Sequence, residues 1–263
     1  MTARHAFVVP AYGRSPYLEA CLHSLAAQEF PSPILLATST PFPELETICE
    51  QHHVRVHVHG PNRGIGHDWN SALQLADADW VTIAHQDDIY RPSFSKAVMQ
   101  AADQARDCAF VFTDAEEIDA SGNIRIACTN QRVKRGLVKL AFLGRPRATG
   151  SWVRRALLGL GNAVNCPTVT LNMRRHPHFR FREDLRTNMD WMAWVELTHE
   201  AGVAHVADAL VAHRVHADSE TARCLDDGSR SREDRMVFDA LWPAFISASL
   251  QRLYAMSYRG YLP

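Results

Sequence analysis

Short apolar runs alternate with helix-spaced apolar positions from Ala6 to Asp114. Ala6-Phe7-Val8-Val9-Pro10 reads as a buried strand ended by proline. Leu18, Cys21, Leu22 and Leu25 then recur along one helix face, with Ser15 as a cap and Pro16 at the first position. Pro31 and Pro33 close that connection, residues 34–38 supply a second strand, and Pro41 and Pro43 open a helix over 44–53. Val54, Val56 and Val58 alternate with Arg55, His57 and His59, the period of a half-exposed strand. This alternation makes His52, His53, His57 and His59 a solvent-facing row rather than a metal cluster. After the turn-rich loop 60–66 comes a helix carrying Trp69, Leu73 and Leu75. Asp79-Trp80-Val81-Thr82-Ile83 then has the composition of a strand buried on both faces. A helix over 94–106, a strand over 108–114 and hairpin-turn chemistry at 119–123 follow. The β-α-β-α-β order predicts an α/β fold with a doubly wound nucleotide-binding half.

Beyond Asp114 the rhythm changes. Residues 133–142 are basic and amphipathic, 159–162 form a loop, and 168–171 a short strand. A helix starts near Asn188 and runs to Gly202, followed by runs at 203–206 and 210–216 that suit strands of a smaller mixed sheet. From Glu233 a helical tail carries Met236, Val237, Ala240, Leu241 and Phe245 along one side. The expected organisation is one domain over 1–225, with halves at 1–115 and 116–225, and a helical tail over 226–263. No repeat or low-complexity linker interrupts it.

Length and composition leave this picture standing. The 263 residues, 46% of them apolar, suffice for one large α/β core with an appendage. Six cysteines lie far apart without a CxxC pair, which fits reduced thiols in a cytosolic protein. No signal peptide is expected at the N-terminus, and no run approaches the ~20 apolar residues of a membrane span. The chain is therefore expected to be cytoplasmic. Charge adds more: the net value of −1 hides a stretch from Ser121 to Arg182 without a single Asp or Glu. Such a basic tract points to an anionic partner, either phosphate, nucleic acid or a membrane surface. The competing reading is a solvated face balanced by acids from elsewhere in the fold.

The candidate chemistry sits at Asp87-Asp88, directly after the central strand. Ligands of open α/β sheets bind beyond the carboxyl ends of the strands. Two carboxylates there are costly unless paired, hydrated or bound to a cation. A hard divalent ion holding a diphosphate would satisfy them; a solvated acidic turn is the alternative. The loop Gly60-Pro61-Asn62-Arg63-Gly64-Ile65-Gly66 could present backbone N–H groups to a phosphate or sugar, although it matches neither GxGxxG nor the P-loop.

In their order, several pieces resemble the family 2 glycosyltransferases of GT-A fold. These are Val8-Val9-Pro10-Ala11-Tyr12-Gly13-Arg14, Asn62-Arg63-Gly64-Ile65-Gly66 with Trp69-Asn70, and His85-Gln86-Asp87-Asp88. Cys166-Pro167-Thr168-Val169-Thr170, Asp190-Trp191, and His213-Arg214-Val215-His216 before Ser219 and Thr221 complete the set over roughly the first 220 residues. The resemblance implies a Rossmann-like mixed sheet, a smaller acceptor-side sheet and C-terminal helices. It implies a donor pocket of Pro10, Ala11, Tyr12, Arg14, Thr38, Asn62, Gly64, Gly66, Asn70, Gln86, Asp87 and Asp88. Asp88 matches the residue that binds a divalent metal on the donor diphosphate, with His216 as a second ligand, and Asp190 matches the catalytic base. Pro167, Thr168 and Trp191 would meet the acceptor. Mn2+ or Mg2+ is the implied cofactor, and an imidazole ligand would favour manganese. In a regular strand His213 and His216, three residues apart, point oppositely, so only one is expected to face the site.

The implied partners are a UDP- or dTDP-sugar and a glycan or lipid-linked acceptor, with no nucleic acid, which would explain the arginines but not the acidic strand end. Surface-polysaccharide synthesis at the inner membrane face, with contact to anionic lipid, follows by analogy. This sequence departs from the family pattern at Ala37-Thr38-Ser39-Thr40-Pro41, where acids that meet the nucleobase are missing. Two alternatives stay open: a catalytically silent sugar-nucleotide or glycan-binding module, and a nucleotidyltransferase that forms sugar nucleotides.

Overall fold

The computed structural model describes residues 2–125, 129–216, 220, 224 and 227–256. Ser219 and Thr221 of the motif set, Cys128 and the last seven residues of the tail lie outside the described residues. Strands β1 (Ala3–Ala11), β2 (Ile34–Thr38), β3 (Arg55–Val58) and β4 (Ala78–Ile83) alternate with helices α1 (Leu18–Ala26), α2 (Leu45–Gln51) and α3 (Ile65–Gln74). Then come β5 (Ile89–Tyr90), α4 (Phe94–Gln104), β6 (Cys108–Ile118), α5 (Thr129–Phe142), β7 (Arg147–Ala148) and α6 (Ser151–Leu158). Next are β8 (Val169–Asn172), α7 (Met189–Glu200), β9 (Gly202–Arg214), α8 (Ser229–Leu241) and α9 (Ala244–Met256).

Among the described residues the nine strands belong to one sheet, ordered β3-β2-β1-β4-β8-β6-β9-β5, with β7 also on β9. The first four run parallel; β8 lies antiparallel between β4 and β6, and β6 pairs parallel with β9. Side chains alternate across each strand. Ala6 and Val8 of β1 enter one core with α3, α5, α6, α7 and α8, while Phe7 and Val9 enter the other with α1, α2 and α4. The sheet is therefore covered on both faces, as its apolar strands require.

Three details differ from the sequence reading. The runs at 203–206 and 210–216 form one strand, β9, instead of a smaller sheet of their own. Exposed Ala207 and Asp208 interrupt its hydrophobicity, and register shifts against β6 between Thr113 and Ala115 absorb the irregularity. Ser15 does not cap α1: its hydroxyl donates to Asp87 and accepts the Tyr17 N–H. In the tail, Met236 and Phe245 face solvent, while Val237, Phe238 and Leu241 are buried together with Glu233 and Asp234.

Candidate active site

The carboxyl ends of β1 and β4 open into a cavity of about 1000 Å³, closed opposite by α5, the 162–167 segment, the 183–190 segment and α9. Gln86 ties the first two walls together: its Oε1 accepts the Tyr12 N–H at 3.2 Å and its Nε2 donates to the Tyr12 carbonyl at 3.1 Å. Gly13, at φ 58°, turns the loop after β1 and donates its N–H to Thr40 Oγ1 at 2.7 Å.

Asp87 and Asp88 have different surroundings. Asp88 is 1% exposed; its Oδ1 accepts the Arg214 backbone N–H at 2.8 Å and lies 3.1 Å from His213 Nδ1. Burial alone would raise its pKa, but His213, His85 and the Arg214 N–H outweigh it and hold the carboxylate below its ordinary value. His213 loses basicity to burial and regains more from Asp88, so it lies above its ordinary value. Asp87 is more open. Ser15 Oγ donates to its Oδ1 at 2.7 Å, and its Oδ2 lies 3.3 Å from His216 Nε2. Arg214 fixes this corner from behind, donating from Nε to the Asp87 carbonyl with its guanidinium 4.4 Å from the centre of the Tyr17 ring.

His213 and His216 both line the cavity, which corrects the expectation that only one would. Strand β9 ends at Arg214, so the strict alternation of a strand no longer governs His216. The expected metal pair of Asp88 and His216 gives way to Asp87 and His216, because Asp88 is buried and committed to His213 and the Arg214 N–H. The 3.3 Å between Asp87 and His216 is close to the roughly 3 Å between adjacent ligands in octahedral coordination with bonds of about 2.1 Å. Among the described residues no three His, Cys, Asp or Glu side chains are gathered to hold a metal. Two protein ligands completed by diphosphate oxygens and water match how magnesium-type ions are held in phosphate sites.

Across the cavity Asp190 stands in the first turn of α7. Asn162 Nδ2 donates to its Oδ2 at 3.1 Å and the Trp191 N–H to its Oδ1 at 2.7 Å. Burial nevertheless pushes its carboxyl above the ordinary value, against the opposing pull of that N–H, Arg230 and Lys134.

Of the expected donor residues, Pro10, Ala11, Tyr12 and Arg14 line the cavity together with Asn62, Gly64 and Gln86. Asp87, Asp88, Asp190, His216 and Pro167 line it as well. Five expected residues have other roles. Thr38 is buried and its hydroxyl accepts the Thr40 N–H. Asn70 clamps the Phe181 backbone, accepting its N–H at 2.8 Å and donating to its carbonyl at 2.9 Å. A Cβ on Gly66 would meet the Arg182 carbonyl oxygen at 2.9 Å, so this glycine serves the close approach of two backbones. Thr168 is buried and donates to the Asn165 carbonyl. Trp191 is buried against Phe238 and Tyr254, because consecutive residues of a helix point about 100° apart and Asp190 takes the cavity side.

Sequence reasoning missed Asn162, Lys134 and Asp68 as cavity residues. Asp68 receives the Ser39 hydroxyl at 3.0 Å and brings a carboxylate beside the acid-free end of β2. Its place in the first turn of α3 was the available signal.

Residues 6–151 match the family model described as Glycosyl transferase family 2. The chain belongs to that family. Its fold is the GT-A fold, and solved structures share it. TarS 1–349 of S. aureus is 15% identical, with 97% of this chain and 71% of that chain covered and a TM-score of 0.67. The same protein in complex with UDP-GlcNAc is 14% identical, with 98% and 73% covered and a TM-score of 0.68. The mannosyltransferase PcManGT of Pyrobaculum calidifontis, in complex with GDP-Man and Mn2+, is 12% identical, with 99% and 71% covered and a TM-score of 0.63. No curated protein matches this family 2 chain in sequence.

Proposed function

We propose that this chain is an inverting glycosyltransferase that moves a hexosyl or deoxyhexosyl group from a UDP- or dTDP-sugar to a hydroxyl of a glycan or lipid-linked acceptor. The observation that carries this reading is one cavity holding Asp190 on one wall and the Asp87–His216 pair on another. An inverting transfer requires a base on the acceptor side of C1 and charge neutralisation on the leaving-group side. The contacts support the following roles. Asp190, held by Asn162 and the Trp191 N–H, takes the proton of the acceptor hydroxyl as its oxygen attacks C1 and the bond to the diphosphate breaks. A carboxylate made more basic by burial suits that step better than an exposed one.

Asp87 and His216 would hold a divalent metal, and Asp88 anchors His213 and the end of β9 behind them. When bound, Mn2+ or Mg2+ would neutralise charge on the departing diphosphate. Binding of GDP-Man with Mn2+ by PcManGT supports a metal of this type, and binding of UDP-GlcNAc by TarS supports a nucleotide-sugar donor. Bacterial surface-polysaccharide synthesis at the cytoplasmic membrane face is the setting that such an acceptor fits. A silent binding module would have no use for a half-buried carboxylate on the acceptor side. A screen of nucleotide sugars by thermal shift with manganese tests the reading. One UDP- or dTDP-sugar should raise Tm in wild type and fail to do so in Asp87→Asn; a panel without any stabilising nucleotide sugar would refute it.

A further inference from the structure

The cavity uses one face of α5, where Asn130 and Lys134 line it, while Val138, Ala141 and Phe142 enter the core. About a quarter turn from the cavity side the surface is apolar and open: Val133 is 55% exposed, Leu140 43%, and Leu143, just past the helix, 68%. Val133 and Leu140, seven residues apart, share one stripe of the helix, and Leu143 is exposed just beyond its C-terminal end. Arg132, Lys139 and Arg145 flank the stripe, are exposed, and make no ion pair or side-chain hydrogen bond among the described residues. This stripe lies within the acid-free stretch from Ser121 to Arg182, so its own segment supplies no compensating charge. Surface helices of a monomer ordinarily turn such residues inward, and a solvated basic helix has no need of three exposed aliphatic side chains.

We infer that the outer face of α5 docks on an anionic lipid surface. Aliphatic tips enter the boundary between headgroups and acyl chains, and the flanking cations meet lipid phosphates. The same helix forms a cavity wall, so docking brings the active site beside the bilayer, where a lipid-linked acceptor would be presented. This inference rests on the acceptor reading above for its purpose, but not for its test.

Sedimentation of the full chain with vesicles tests it, without any nucleotide sugar present. The chain should pellet with phosphatidylcholine vesicles containing phosphatidylglycerol, release as salt rises, and stay in solution with phosphatidylcholine alone. Arg132→Gln/Lys139→Gln/Arg145→Gln should weaken binding about 100-fold, since each basic residue near such a surface contributes a factor of about five. Val133→Ser/Leu140→Ser/Leu143→Ser should also stay in solution, and both variants should keep wild-type thermal stability because all six residues are exposed. Wild type that does not pellet, or variants that pellet like wild type, would overturn the inference. So would a wild-type dimer in gel filtration that the serine variant dissolves, which would make the face a contact between copies. Absence of donor turnover with intact vesicle binding would instead count against the glycosyltransferase reading alone.

Discussion

Asp190 carries the base assignment through its surroundings. Its folded-state pKa is raised, so the folded protein binds this proton more tightly than the unfolded chain does. Stability contributed by this group is therefore present at low pH, falls between the ordinary carboxylate value and the raised one, and stays lower above it. Asp190→Asn should accordingly leave Tm at neutral pH unchanged or higher, while transfer drops about 100-fold or more and donor affinity persists. The wild-type rate should fall as pH drops through the raised pKa. Calorimetry and a pH–rate profile check both statements, and a Tm loss matching the rate loss would make Asp190 a structural residue. The two histidines separate in the same way. His216→Ala should raise the manganese concentration for half-maximal donor hydrolysis and narrow the difference between manganese and magnesium, because imidazole suits the softer ion. His213→Ala acts on Asp88, so it should lower Tm and leave the metal titration in place.

At the level of elements, the position of Asp190 depends on helix α8. Glu233 is buried and accepts the backbone N–H groups of Arg186, Thr187 and Asn188 at 2.7, 2.8 and 2.8 Å, and Asn188 donates to Asp234 at 2.7 Å. These bonds fix the entrance to α7 two residues before Asp190. Glu233→Ala would strand buried donors at about 1–3 kcal/mol each, so it should cost on the order of 3 kcal/mol in denaturant unfolding and reduce transfer more than donor binding. Sequence periodicity located α8 with its buried Val237 and Leu241, but Met236 and, on α9, Phe245 proved exposed. The buried side carries two carboxylates, which a hydrophobic pattern reads as solvent-facing. Helices and strands of the first half were legible because each has a single apolar period. The long strand β9 was not, since its bulge at Ala207 and Asp208 looks like a loop.

Across the whole molecule, the sheet sets the cavity by bringing the ends of β1, β4 and β9 to one edge. Loop motifs after β1 and β4 were readable in the chain because the residues that line the cavity there are consecutive. The opposite wall was harder: Asp190 was reached only through the family resemblance, and Asn162 and Lys134 come from two other segments that only folding brings beside it. Asn70, Gly66 and Trp191 show the converse, since motif residues can serve backbone packing instead of ligand contact. The most direct test of the account is release of nucleoside diphosphate from a panel of nucleotide sugars incubated with the full chain and manganese. One UDP- or dTDP-sugar should be turned over slowly, with turnover abolished by chelator and by Asp87→Asn. Turnover that persists in both, or a panel on which nothing is released and nothing binds, would contradict it.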